Sequence, residues 1–107
     1  MVKITFFENS NDVVFGFDVF GHAGSGAFGE DIVCAAISSA VYMVLNTITD
    51  VKRIVPILIK LSDGNVSLRL SFVDAESCSD ILSGFGLHTS EISRQYPKKV
   101  CVIHKRI

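Results

Sequence analysis

Ile32 to Thr49 reads IVCAAISSAVYMVLNTIT, eighteen consecutive residues without a formal charge. That length touches the lower limit for a membrane span, but Ser38, Ser39, Asn46, Thr47 and Thr49 interrupt it. Val33, Ile37, Ala40, Val44 and Ile48 recur at spacings of three and four, the period of one helical face. A helix apolar on nearly every side, in a chain of 107 residues, is expected to be the central buried helix of a small domain, its outer side partly covered by a second protomer. No membrane partner is expected. Asp50 and Lys52-Arg53 mark the helix end.

On either side of this helix the pattern changes to strands. Val2 to Phe7 and Val13 to Phe20 are rich in β-formers and are separated by the polar turn ENSND, which predicts an antiparallel hairpin. Gly21 to Gly29, GHAGSGAFG, holds too much glycine for either regular element and reads as a mobile loop. After the helix, Ile54 to Leu61 is β-like, with Pro56 restricting it to an edge. Asp63-Gly64 is a turn signal before Val66 to Val73, where apolar and polar residues alternate. Beyond Asp74, the segment AESCSDILSGFGLHTSEISRQY predicts a second helix, kinked or split at Gly84 and Gly86. Tyr96-Pro97 stops it, and Val100 to Lys105 supplies a last strand. The order ββαββαβ predicts a single α+β domain over residues 1–107, with two helices packed on a mostly antiparallel mixed sheet.

Composition narrows the function. The chain is 49% hydrophobic and 20% charged with 2 prolines, so it folds, and 107 residues exclude a multidomain enzyme. A formal net charge of −1 carries no overall basic footprint, so direct nucleic-acid binding is not expected. The charge is uneven: residues 1–50 sum to −5 and residues 51–107 to +4. The start MVKITFFENS lacks a basic n-region, which predicts a cytoplasmic protein. Cys34, Cys78 and Cys101 are odd in number with no close pair, consistent with a reducing compartment and free thiols.

The stretch that carries chemistry is Phe20 to Ser38, FGHAGSGAFGEDIVCAAIS. His22 leaves a strand, a glycine-rich loop follows, and Cys34 arrives early in the central helix. With Asp31 as the N-cap, Cys34 would occupy the third helical position, where unpaired N–H groups and the helix dipole favour a thiolate. The thiolate is the nucleophilic form, and His22 could take up its proton and later protonate a leaving amine. Cys34 and neighbouring helix-start N–H groups could form an oxyanion hole. Asp31 could instead partner His22. Ser38, one turn after Cys34, is either a small packing residue or a hydrogen-bond donor to His22 or to substrate.

Gly21, His22, Ala23, then Gly29, Asp31, Ile32, Val33, Cys34, Ala35, Ala36 and Ser38 resemble the signature of the ribosomal-processing cysteine proteases known as Prp, or YsxB-like proteins. The similarity extends over the whole length, including the Tyr96-Pro97 break before the final strand. It implies a cysteine endopeptidase that removes the N-terminal extension of large-subunit ribosomal protein twenty-seven. It also implies Cys34 as nucleophile, His22 as general base and acid, and Gly21, Asp31 and Ser38 as supporting positions. Ala23, Gly24, Gly26 and Gly29 would lie in a substrate loop. Family members are dimers, which implies a homodimer whose peptide substrate is a ribosomal protein precursor. No cofactor or metal is implied.

Two other readings compete. Gly24 to Gly29 is literally G-x-G-x-x-G before a helix, with Asp50 about 20 residues on, as in dinucleotide sites. However, Gly21 to Ala23 intervene after Phe20, and the preceding strand belongs to a hairpin. Lys98, Lys99, Lys105 and Arg106, with Tyr96 and His104, would form a basic C-terminal face, and the alternative is a non-enzymatic ribosome- or RNA-associated module using it. Three His and three Cys offer no paired ligand spacing for a metal.

Overall fold

The structure is a computed structural model that describes residues 1–21, 28–62 and 64–107, with the backbone alone for residues 28–31. Two strands, β1 (Val2–Glu8) and β2 (Val14–Phe20), form the expected antiparallel hairpin. Its turn is fixed by Asn9, whose Oδ1 accepts from the N–H groups of Asn11 at 2.8 Å and Val13 at 3.2 Å. Helix α1 (Phe28–Asn46) follows and ends in one π-helical turn, Thr47–Val51. Thr47 and Thr49 each donate a hydroxyl to the carbonyl four residues earlier, on Met43 and Leu45, a side-chain competition with the backbone that belongs to helix bends.

Strand β3 (Leu58–Ser62) is an edge strand paired antiparallel to β4 (Asn65–Arg69), and β4 pairs with β2. Short α2 (Phe72–Ser77) and long α3 (Ser79–Gln95) lead to β5 (Val100–Arg106), which pairs parallel to β1. The sheet order is β3-β4-β2-β1-β5, a mostly antiparallel mixed sheet with the predicted order of strands and long helices.

Three boundaries differ from expectation. The third strand begins at Leu58, not Ile54, because Arg53 takes a left-handed φ of 57° and Pro56 offers no N–H to a ladder. The fourth ends at Arg69, not Val73, because Ser71 caps a helix there, its Oγ accepting from Asp74 N–H at 3.2 Å. The helical segment breaks at Cys78 and runs unbroken through Gly84 and Gly86. Cys78, 1% exposed, is anchored in the core at the junction, whereas a Cβ at Gly84 would meet nothing within 4 Å.

The core lies on one face of the sheet. Val2, Ile4 and Phe6 of β1, Phe17 and Val19 of β2, and Val66 and Leu68 of β4 alternate inward and join the buried side of the helices. Helix α1 contributes Val33, Ile37, Val44 and Ile48 as its stripe predicts, with Val41 at 0% exposed and Ala40 only half-buried. By length and composition Ile32–Val51 could cross a membrane, yet here its stripe is built into the protein core. Phe85 of α3 closes a three-ring cluster, 5.6 Å from Phe6 and 4.9 Å from Phe17 between centroids, in the tilted geometries that aromatic quadrupoles favour. The molecule is 19 Å along its thinnest axis, two layers.

Candidate active site

Cys34 lies on α1 between the buried Val33 and Ile37 and the outward Ala35 and Ala36. Its side chain is half-buried against the core edge and makes no disulfide. Ser38 follows one turn later, also half-buried. The described neighbours that face outward, Ala35, Ala36 and Ser39, are small, and the nearest large exposed side chains described on α1 are Ile32, 62% exposed, on one side and Tyr42, 50% exposed, on the other.

The helix start corrects one sequence expectation. Helix α1 begins at Phe28, so Asp31 is its fourth residue and not its N-cap, and Cys34 is its seventh, in the second turn. The acidic pair Glu30-Asp31 sits in the first turn, where the helix dipole favours negative charge. The unpaired N–H groups belong to the residues around Phe28, roughly 9 Å along the axis from Cys34 at 1.5 Å per residue. The Cys34 N–H is therefore committed to the helical ladder, and the dipole, which fades within the first turn, offers the sulfur little.

Gly21 closes β2 at the point where the chain turns toward His22. Its φ is +87°, and a Cβ there would lie 2.7 Å from the Met1 carbonyl oxygen, so only glycine fits. Its N–H donates to Gly64 O at 2.7 Å, pinning the strand end to the β3–β4 turn. His22, Ala23, Gly24 and Gly26 lie outside the described residues. Gly29 is the second residue of α1. Among the described residues, no group of three or more His, Cys, Asp or Glu could hold a metal ion.

The dinucleotide reading loses its context. β1 and β2 are antiparallel, β2 has no parallel neighbour, and Gly29 is already inside the helix. The basic C-terminal face is also corrected. Lys98-Lys99 precede β5 and Lys105-Arg106 end it, about 20 Å apart at 3.3 Å per residue. Arg106 is paired with Asp12, and His104 Nδ1 lies 2.7 Å from Glu8 Oε1 while its ring stacks on Phe6.

The sequence profile of the family described as cysteine protease Prp matches residues 1–101. The chain belongs to this family. It is a cysteine protease. Among solved structures, SMU.848 from Streptococcus mutans superposes with a TM-score of 0.86 at 24% identity, covering 100% of this chain and 96% of that one. The essential ribosomal processing protease Prp from S. aureus, solved with a substrate peptide, gives 0.87 at 23% identity over 98% of this chain and 100% of that one. The same protease with a covalently linked product peptide gives 0.84 at 24% identity, with 98% and 100% covered. These likenesses show that the fold is that of Prp structures. No curated protein sequence matches. Sequence reasoning missed the open face of the sheet beside Gly21, whose residues are brought together only by strand register.

Proposed function

We propose that this Prp-family protease removes the N-terminal extension of large-subunit ribosomal protein twenty-seven, with Cys34 as nucleophile and His22 as general base and acid. The observation that carries the reading is the family match across residues 1–101, combined with a half-buried Cys34 that makes no disulfide and sits at the surface of α1. The S. aureus protease, whose structures hold a substrate and a product peptide, supports a ribosomal protein segment as the substrate class. A ribosomal substrate implies action in the cytoplasm.

In the mechanism, the Cys34 sulfur attacks the scissile carbonyl carbon as its proton passes to His22. The tetrahedral intermediate collapses, the C–N bond breaks, and His22 returns the proton to the leaving amine. The removed extension is left as a thioester on Cys34. Water, giving a proton to His22, then attacks that carbonyl and releases the acid and the thiol. Gly21 acts as a positioning residue by fixing the strand end from which His22 departs. Asp31 and Ser38 support the site from α1, with Ala23, Gly24, Gly26 and Gly29 as the substrate-loop positions, the last of them joining that loop to α1.

The test is incubation with the precursor protein, read by mass spectrometry. An N-terminally shortened product from the wild type, and none from His22→Ala, is expected. Normal turnover by His22→Ala would remove the base assignment, and an uncut precursor would remove the substrate.

The outer side of α1 supports a homodimer. Ile32, Ala35, Ala36, Ser39, Tyr42 and Met43 are exposed or half-exposed, uncharged and contiguous at helical spacing, a surface that a two-fold contact would bury against itself. Met43→Glu places like charges across such a contact and is expected to give a monomer by sedimentation equilibrium at micromolar concentration. An unchanged dimer would place the interface elsewhere.

A further inference from the structure

The helices cover one face of the sheet, and no described element packs on the other. Strand register builds that open face in rows. The first row sets Lys3, Phe20, Asn65 and Ser62 side by side, and the second sets Thr5, Asp18, Ser67 and Lys60. In the third, Phe7 and Arg69 flank Gly16, and Lys105 of β5 pairs with Phe7. Gly16 is required because a Cβ there would lie 2.2 Å from Leu68 O and 3.0 Å from the Arg69 side chain. Arg69 lies across the gap, its guanidinium 4.0 Å from the Phe7 ring centroid and forked onto both Asp18 oxygens at 2.9 and 3.3 Å.

The consequence is a charge imbalance. Among the described residues, this face carries Lys3, Lys60, Arg69 and Lys105 against Asp18, which Arg69 already neutralises. A chain of net charge −1 thus presents one strongly basic surface. In its midst Phe20 is 62% exposed. A cavity of about 150 Å³ opens beside that ring, lined by Asp18, Phe20, Lys60, Ser62, Asn65 and Ser67. Lys3 and Lys60 stand on either side of Phe20, on strands about 14 Å apart at the usual strand spacing.

We propose that this face binds a short single-stranded nucleic acid, one base stacking on Phe20 while Lys3 and Lys60 meet the flanking phosphates. An exposed aromatic on an open sheet between two cations is the arrangement by which stacking platforms hold unpaired bases. The hydroxyl and amide groups of Ser62, Asn65 and Ser67 suit a base edge. An acidic peptide would use the lysines but has no need of the ring. A second copy is disfavoured because a two-fold contact would set the cations against themselves.

The probe is fluorescein-labelled decauridylate, read by anisotropy with no protease substrate present, so that the result is independent of the cleavage assignment. Binding in roughly the 10–100 μM range is expected at 50 mM salt, weakening about sevenfold at 200 mM for the two phosphate contacts. Phe20→Ser is expected to weaken it about tenfold, and Lys60→Glu by a similar factor with a shallower salt dependence, with unchanged circular dichroism in both. The proposal is overturned if decauridylate does not bind, if Phe20→Ser binds as the wild type does, or if polyglutamate of equal length binds equally well.

Discussion

Cys34→Ser is expected to lower peptide cleavage by roughly 10⁴-fold or more, the scale of loss on removing an enzyme's nucleophile, while the melting temperature stays within about 5 °C of wild type. The small structural cost follows from position. Cys34 is half-buried at the margin of the core, and exchanging sulfur for oxygen there alters few contacts, about 1 kcal/mol at most, which is some 5 °C for a domain of this size. The large kinetic cost follows because no other described cysteine can substitute. Cys78 is 1% exposed beneath the α2–α3 junction, and Cys101 lies on β5, next to Lys3 on the open face of the sheet, on the far side from α1. Combining Cys34→Ser with His22→Ala is expected to lose little more than either alone, since residues that act in one step are not additive. Steady-state cleavage of a fluorogenic peptide, with thermal melts, checks both parts. Retained activity in Cys34→Ser would end the assignment.

Phe17→Ala is expected to be the most damaging substitution to stability, at about 3–5 kcal/mol. Phe17 is 0% exposed, and its ring sits 6.2 Å from Phe6 and 4.9 Å from Phe85. It joins β2, the central strand, to the helix layer. A domain of this length has about 5–15 kcal/mol in all, so the variant is expected to melt about 20 °C lower or to fail to fold at 37 °C. Phe20→Ala, three residues along the same strand, is the control. Phe20 is 62% exposed, so its loss is expected to cost less than about 0.5 kcal/mol. Urea titrations of the two variants separate packing from strand propensity, and equal destabilisation would contradict the one-sided core.

Period carried most of the fold. The alternation through Val66 and Leu68, the three-and-four spacing of Val33, Ile37, Val44 and Ile48, and the hairpin around Asn9 are local signals, and the structure realises each of them. Boundaries set by backbone detail were less legible. Gly29 suggested that the loop ran through it, yet a helix whose stripe is buried tolerates one glycine in its first turn, and α1 starts at Phe28. Ser71 to Asp74 reads S-x-x-D, a cap signal masked by the apolar Phe72 and Val73. The break at Cys78 depends on burial, and the paired glycines of α3 gave no trace of it. At the site, the one-turn relation of Cys34 and Ser38 was readable from spacing. The depth of Cys34 in the helix was not, because it depends on where the first turn begins. The open basic face required cross-strand register, which links Lys3 to Phe20 and Phe20 to Asn65 and is invisible to a linear pattern.

The nucleophile assignment is tested most directly by trapping the covalent intermediate. Wild-type enzyme mixed with the precursor, quenched in acid within the first turnover and digested, should yield the extension as a thioester on the peptide that contains Cys34. An adduct on Cys78 or Cys101, or cleavage proceeding at full rate with no adduct on any cysteine, would contradict it.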